Sequence, residues 1–557
     1  MKLVLIALLL FPALLFAQAK SSKQTPKLEK PKLVVGIVVD QMRYDYLTRL
    51  EKHFLPATKA SGGFNRLIKN GANLTEAHYT FSNTLTAVGH QTFLSGVNPS
   101  RSGMIANDWY SRELKREMYC VSDSTVQAVG ISSEKNAGKM SPRNALVENV
   151  CDALKKESPQ SKVIGIALKD RGAILPAGKR ADAAYWFDTE SGNWITSTYY
   201  RTALPDWLNR FNAQKLPESY LGKSWTRLLP EKNYTNIDNA LGEGTLIGES
   251  EPIFPHKVFD LRTAADNPLF KRNKLYDPIP ATPFGSELTL ELAKATIEGE
   301  SLGMRGVTDV LTVSVSTVDY CGHIFGYESH EAQDLMLRLD RQLDDFFKFI
   351  DKKIGFENCL FVLTADHGVA PTPEQTAGGL RLYEKPFLDS LKAAVDTLYP
   401  NVIEAFTNSE VYLNQKEIAE KKYELGEVEK FVGLMGMHLS GIVDYYTRQE
   451  LMNLQEVLEF DPVGTMVMNS FHPARSGDVK LVLKENAFFS YRQTGTTHGT
   501  HHRYDTHVPI LFCGKGIRRG KFSQKSAVID IAPTLHALLG LKEPHRYDGR
   551  MLNEIVR

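Results

Sequence analysis

Apolar residues along this chain gather in short runs at 33–39, 163–168, 310–318, 359–364 and 508–513, with only small Thr and Ser among them at 310–318. Runs of that length without strongly polar alternation suit strands covered on both faces, as in a parallel sheet. Between them, 144–156, 287–298 and 331–352 carry apolar residues at i, i+3 and i+4 spacing. The last shows Leu335, Leu339, Leu343, Phe346, Phe347 and Ile350, which predicts a long helix with one apolar face. Strands alternating with helices predict an α/β fold: a doubly wound, mostly parallel central sheet with helices on both faces. Two stretches break the rhythm. Residues of about 180–285 hold four of the five tryptophans (Trp186, Trp194, Trp207, Trp225) among many Pro, Gly and Asn, and 400–490 is mixed and short-patterned. Both are read as insertions into one domain spanning 33–557, the first a candidate cap over a site.

The N-terminus has its own pattern. Met1-Lys2 is followed by an apolar run from Leu3 to Phe16 and then Ala17-Gln18-Ala19. One positive charge, a short apolar core and a small-x-small end predict a signal peptide over 1–19, cleaved near Ala19, with 20–32 a loose leader. The run, at about 14 residues, is shorter than the ~20 that span a bilayer. The expectation is a periplasmic or secreted protein with no stable membrane insertion.

Composition narrows the picture by exclusion. The 557 residues are 42% hydrophobic and 24% charged, enough to bury a large core. Lys+Arg at 66 against Asp+Glu at 65 leaves a net charge of +1, so no basic field exists to attract a nucleic acid partner. Five cysteines, odd in number and without a CxxC, exclude a disulfide scaffold and a cysteine zinc ribbon. Cys359 and Cys513 sit inside apolar runs, where a small buried hydrophobe is expected.

The residues just past each run are more telling. Asp40 comes after the first, Asp319 and His323 after the third, and Ala365-Asp366-His367-Gly368 after the fourth. Lys169-Asp170-Arg171 comes after 163–168, and if the chain stays extended Lys169 and Arg171 point to one side. Ligands of open parallel sheets bind beyond the carboxyl ends of the strands, so these residues are predicted to converge. Each alone is ordinary, since a lone Asp after a strand is commonly a turn former. Together, three carboxylates and two histidines exceed one tetrahedral zinc site. A metal pair about 4 Å apart clamps the attacking and leaving oxygens of a phosphoryl group. His498, His501 and His502 each offer a further ligand, and spacing does not choose among them. Thr86 opens a helical pattern ended by Gly96, where backbone N–H groups welcome an anion. The same threonine would serve as a plain N-cap, and the residues leave both readings open. Asn107-Asp108-Trp109 reads as a polar turn.

The set Asp40, Thr86-x-x-Gly89-His90, Asn107-x-Trp109, Lys169-Asp170-Arg171, Asp319-x-x-x-His323, Asp366-His367-Gly368 and His498-Gly499 resembles the alkaline phosphatase superfamily. Within it the chain looks like the secreted bacterial threonine-type alkaline phosphatases, of the phosphate-irrepressible kind, from about Leu33 to Leu541. The resemblance implies two Zn2+ ions. Asp319, His323 and His498 would hold the first, and Asp40, Asp366, His367 and the Thr86 hydroxyl the second. Thr86 would be the nucleophile, passing through a phosphothreonine intermediate. Asn107, Lys169 and Arg171 would contact the other phosphate oxygens, and His90 would be structural. The substrates implied are small-molecule phosphate monoesters, scavenged by a monomer. The alternative is a nucleotide pyrophosphatase or phosphodiesterase of the same superfamily. A monoester dianion carries an extra charged oxygen, and the Lys169 and Arg171 pair favours it over a diester.

Overall fold

A computed structural model describes residues 29–264, 267–453 and 461–557; the predicted signal peptide and most of the predicted leader lie outside the described residues. The centre is a ten-stranded sheet. In chain order its strands are β1 (Leu33–Val39), β2 (Ala72–Leu74), β3 (Ala128–Val129), β4 (Val163–Ala167), β5 (Ala183–Asp188), β6 (Asn193–Ser197), β7 (Asp309–Val315), β8 (Cys359–Thr364), β9 (Ile510–Gly514) and β10 (Gly520–Phe522). Their spatial order is β10-β2-β9-β8-β1-β7-β4-β5-β6-β3. The middle five, β8-β1-β7-β4-β5, run parallel. Helices cover both sides. Every residue of β1, β7 and β8 is buried, Thr312 and Ser314 of β7 included.

The sheet is mixed, and one predicted strand departs from the parallel set. β9, read from the run at 508–513, pairs antiparallel with β8. A strand buried on both faces looks the same in sequence whichever way it runs, so the pattern reported burial and not direction. Part of the tryptophan-rich stretch also belongs here, since β5 and β6 pair within the sheet. Trp186, Trp194 and Trp225 are buried. The second irregular stretch carries a four-stranded antiparallel sheet of its own, from Ile403–Thr407, Glu410–Leu413, Ile442–Thr447 and Val479–Leu483, over a separate apolar cluster.

The predicted helices form with shifted ends. The longest spans His330–Lys353, where the Ser329 hydroxyl accepts from the Ala332 N–H and all six apolar residues of the predicted stripe are buried. Burying each contributes about 1.5–3 kcal/mol, which fixes the helix against the sheet. The helix predicted over 144–156 begins at Val150, because Asn149 and Asp152 form a reciprocal capping box. All five cysteines are buried as free thiols.

Candidate active site

Register explains why distant residues meet. Thr364, Val38, Ser314 and Ala167 stand side by side across β8, β1, β7 and β4. Two residues beyond that row, three of these four strands deliver Asp366, Asp40 and Lys169 to one edge. The fourth strand behaves differently. β7 stops at Val315 and the chain turns into the helix Thr317–Phe325, which carries Asp319 and His323 one turn apart. The strand read as far as Val318 is thus three residues too long, because Ser316, Thr317 and Val318 at the junction fit either period.

Asp40, Asp319, Asp366 and His367 are buried. Lys169 bridges two of the carboxylates, its Nζ 2.7 Å from Asp40 Oδ2 and 2.5 Å from Asp319 Oδ2. Gln41, held at φ 69°, donates its backbone N–H to Asp366 (3.0 Å) and its side-chain amide to Asp319 (2.9 Å). Sequence offers no signal for that role. Three histidines close the site in one manner. Nδ1 of His323, His367 and His498 lies 2.8, 2.9 and 2.8 Å from the carbonyl oxygens of Thr496, Gly368 and Thr84. Each Nδ1–H is therefore a donor to backbone, and burial, which lowers the pKa of His367 and His498, leaves their Nε2 atoms as lone pairs. All three Nε2 atoms face acceptors: His323 and His498 lie 3.1 and 3.5 Å from Asp319 Oδ1, and His367 lies 3.6 Å from Asp40 Oδ1 and 3.3 Å from Asp366 Oδ2. Burial pushes the His367 pKa down to about 3 against the pull of Asp366, which keeps the ring neutral. Burial and the neighbouring Asp366 push Asp40 well above the usual carboxylate range, with Lys169 opposing.

Lone pairs aimed at carboxylates, and three carboxylates around one ammonium, leave negative charge uncompensated. Asp40 Oδ1 and Asp366 Oδ2 are buried without a hydrogen-bond partner. Such a donor set fits divalent cations. Two groups have ligand atoms all within 4.8 Å of one another: Asp319, His367 and His498, and Asp40, Asp366 and His367. His501 and His502 stand apart, with His502 Nε2 on the Leu483 carbonyl oxygen, so His498 is the histidine of its segment that reaches the carboxylates. His90 spends both nitrogens on protein, Nδ1 on Thr86 O (2.8 Å) and Nε2 on Ser314 Oγ (2.7 Å).

Thr86 is the first residue of the helix Thr86–Ser95, while Leu85 is the N-cap. The threonine hydroxyl is not used as a cap; it lies 3.4 Å from His367 Nε2. The cap comes from elsewhere, as Asn107 Oδ1 accepts from the Ala87 N–H at 2.8 Å. What Asn107 retains for a ligand is its amide N–H2. Gly89 lets this helix lie on the Asp366 backbone, for a Cβ there would stand 1.9 Å from the Asp366 carbonyl oxygen.

Asn107-Asp108-Trp109 is no isolated turn. It enters a hairpin of Asp108–Ser111 with Arg116–Tyr119. Tyr119 from that hairpin accepts from Arg171 Nη1 at 3.1 Å and donates to Asp170, a tie with no sequence signal. Arg171 is also not extended: Lys169 is, but Arg171 lies in the first turn of the helix Asp170–Ala177. Its Nε is buried without a partner, while Lys169 holds one of three N–H donors in reserve. The tryptophan-rich region reaches the rim, with Gly244 N–H on the Ile324 carbonyl (2.8 Å) and Gly495 N–H on the Gly242 carbonyl (2.6 Å).

A family profile described as type I phosphodiesterase / nucleotide pyrophosphatase matches residues 34–505. The chain belongs to that family. Its similarity to alkaline phosphatase PafA of Elizabethkingia meningoseptica is 38% identity over 96% of either chain. Against alkaline phosphatase PhoV of Synechococcus elongatus it is 37% over the whole of both. The crystal structure of wild-type PafA matches with a TM-score of 0.87 and 36% identity, covering 95% of this chain and 100% of that one. Both of these relatives, similar to the chain over nearly its full length, are named as alkaline phosphatases.

Proposed function

We propose that the protein is a zinc-dependent alkaline phosphatase that hydrolyses phosphate monoesters through a phosphothreonine intermediate on Thr86, exported after cleavage near Ala19 and acting as a monomer. The observation that carries this reading is the uncapped Thr86 hydroxyl beside His367, at the meeting point of two metal-ligand groups. Asp319, His323 and His498 would hold one zinc, and Asp40, Asp366, His367 and Thr86 the other. A zinc pair so bound supplies Lewis-acid charge to the attacking hydroxyl and the leaving oxygen.

The chain's own groups do the rest. Thr86, fixed at a helix start, directs its oxygen in line at phosphorus, its proton passing to solvent as the phosphorus–oxygen bond to the leaving alcohol breaks, and the helix dipole favours the incoming anion. Asn107 offers amide donors to one non-bridging oxygen. Lys169 and Arg171 offer two cations to the others, and a monoester dianion needs both more than a diester does. Burial of the cluster strengthens each of these interactions. Water then displaces the threonine oxygen, and phosphate leaves.

The test compares kcat/KM for p-nitrophenyl phosphate and bis-p-nitrophenyl phosphate on zinc-loaded protein at mildly alkaline pH. Strong preference for the monoester, lost to a chelator and restored by zinc, is the expected result. Preference for the diester would move the chain to the phosphodiesterase branch and overturn the account of Lys169 and Arg171.

A further inference from the structure

A second histidine and carboxylate group lies outside the crevice. His78 and His507 are partners in an isolated antiparallel bridge. The bridge is pinned on both sides, by the Tyr79 N–H on the Thr506 carbonyl (3.0 Å) and the Val508 N–H on the Ala77 carbonyl (3.1 Å). Directly opposed residues of such a pair present side chains on one face, a few ångströms apart. Glu76, two residues before His78, shares that face by the period of an extended chain. The backbone therefore gathers two imidazoles and a carboxylate, and their ligand atoms all lie within 4.8 Å of one another.

Hydrogen bonds orient the rings. His507 Nε2 lies 2.9 Å from the Thr75 carbonyl oxygen, so it carries the proton and leaves Nδ1 as a lone pair. His78 Nε2 lies 3.2 Å from Arg503 Nη1, a group that only donates, so Nε2 is the lone pair of that ring. The rings stack at 4.6 Å and 12°. A cation already occupies this place. Arg503 puts one nitrogen on His78 and another 3.3 Å from Glu76 Oε2, from a side chain 62% exposed. A cleft of about 530 Å³, lined by Arg503, His507 and Tyr44 among others, opens beside it.

We infer that Glu76, His78 and His507 form a surface site for a borderline divalent metal such as Zn2+, separate from the crevice, in which Arg503 is the resident cation that the metal displaces. Two imidazole nitrogens and one carboxylate oxygen are a three-ligand zinc set whose fourth position is left to water. Arg503 swings into the cleft when the ion enters.

The experiment titrates Zn2+ into enzyme whose crevice is already zinc-loaded, with bound metal counted by equilibrium dialysis and elemental analysis. Wild type is expected to take one equivalent more than His78→Ala, with p-nitrophenyl phosphate turnover unchanged between them. Equal stoichiometry in the two proteins would overturn the site. Arg503→Ala removes an exposed side chain and so provides a second measure that does not depend on the histidine variant folding. Binding of the extra equivalent several-fold tighter than in wild type supports the displacement, and unchanged or weaker binding overturns it.

Discussion

In the crevice, three histidines give Nδ1–H to backbone carbonyls and turn bare Nε2 atoms toward Asp40, Asp319 and Asp366. In the tryptophan-rich region, His256 gives both nitrogens to carboxylates, Nδ1 to Glu249 at 2.8 Å and Nε2 to Glu331 at 3.0 Å. Both places bury imidazole among acids, yet the second hydrogen bond reverses the chemistry. A ring whose other nitrogen already donates to a carbonyl is a neutral ligand, and its acids need a cation from outside. A ring with a carboxylate at each end is itself the cation. Burial works against charge on His256, but Glu249 and Glu331 outweigh it and raise its pKa to about 9. The crevice is thus unfinished without metal, whereas the His256 clamp is complete. Changes in the crevice should cost rate and spare stability, and changes at the clamp should do the reverse.

The largest effect should come from Thr86→Ala. It removes one hydroxyl that caps nothing, so thermal unfolding and zinc content should hold while turnover falls by at least roughly 10³-fold. Near-normal turnover would remove the nucleophile assignment. Next, replacing Lys169 and Arg171 together by Ala should lower kcat/KM on monoesters by roughly 10²-fold or more. On diesters the loss should stay much smaller, because the oxygen those cations meet carries no full charge there. Equal losses on both substrates would mean that the pair orders the carboxylates and does not read the phosphate.

How much of this contrast is legible before folding differs between the two places. The crevice residues sit just past apolar runs, and parallel neighbours in register carry Asp40, Lys169 and Asp366 to one edge. Position in the pattern was therefore nearly position in space. Where local chemistry overrode the pattern, sequence reading slipped. Asp319 rides on a helix, Arg171 lies in a first turn, and β9 runs against its neighbour. Gln41 reaches two carboxylates only because its backbone adopts φ 69°, which no composition announces. The clamp had no signal at all. Glu249 lies in irregular chain, His256 in a two-residue strand and Glu331 on a remote helix, and a lone histidine among 15 looks like any other.

The smallest effect on activity, and the most discriminating, concerns the clamp. His256 packs among Trp225, Phe254 and Phe325, with Glu249 and Glu331 as its partners. Its folded pKa is raised from 6.5 to about 9, so its contribution to stability is whole below pH ~6.5 and is lost as pH rises through ~9. Glu243 acts in the same sense, because burial and nearby Glu331 raise its pKa from 4.5 to about 8, so its cost to the folded state accumulates as pH rises between those values. Urea unfolding of zinc-loaded enzyme should therefore show stability declining between pH 6.5 and 9. His256→Leu should lower stability by about 3–5 kcal/mol at pH 6.5, since it strands buried Glu331. It should also flatten part of the decline, leaving the share that belongs to Glu243, with kcat near wild type. A variant that kept the full wild-type slope would place the pH dependence elsewhere. One that lost turnover along with stability would show that the two histidine clusters are not separable.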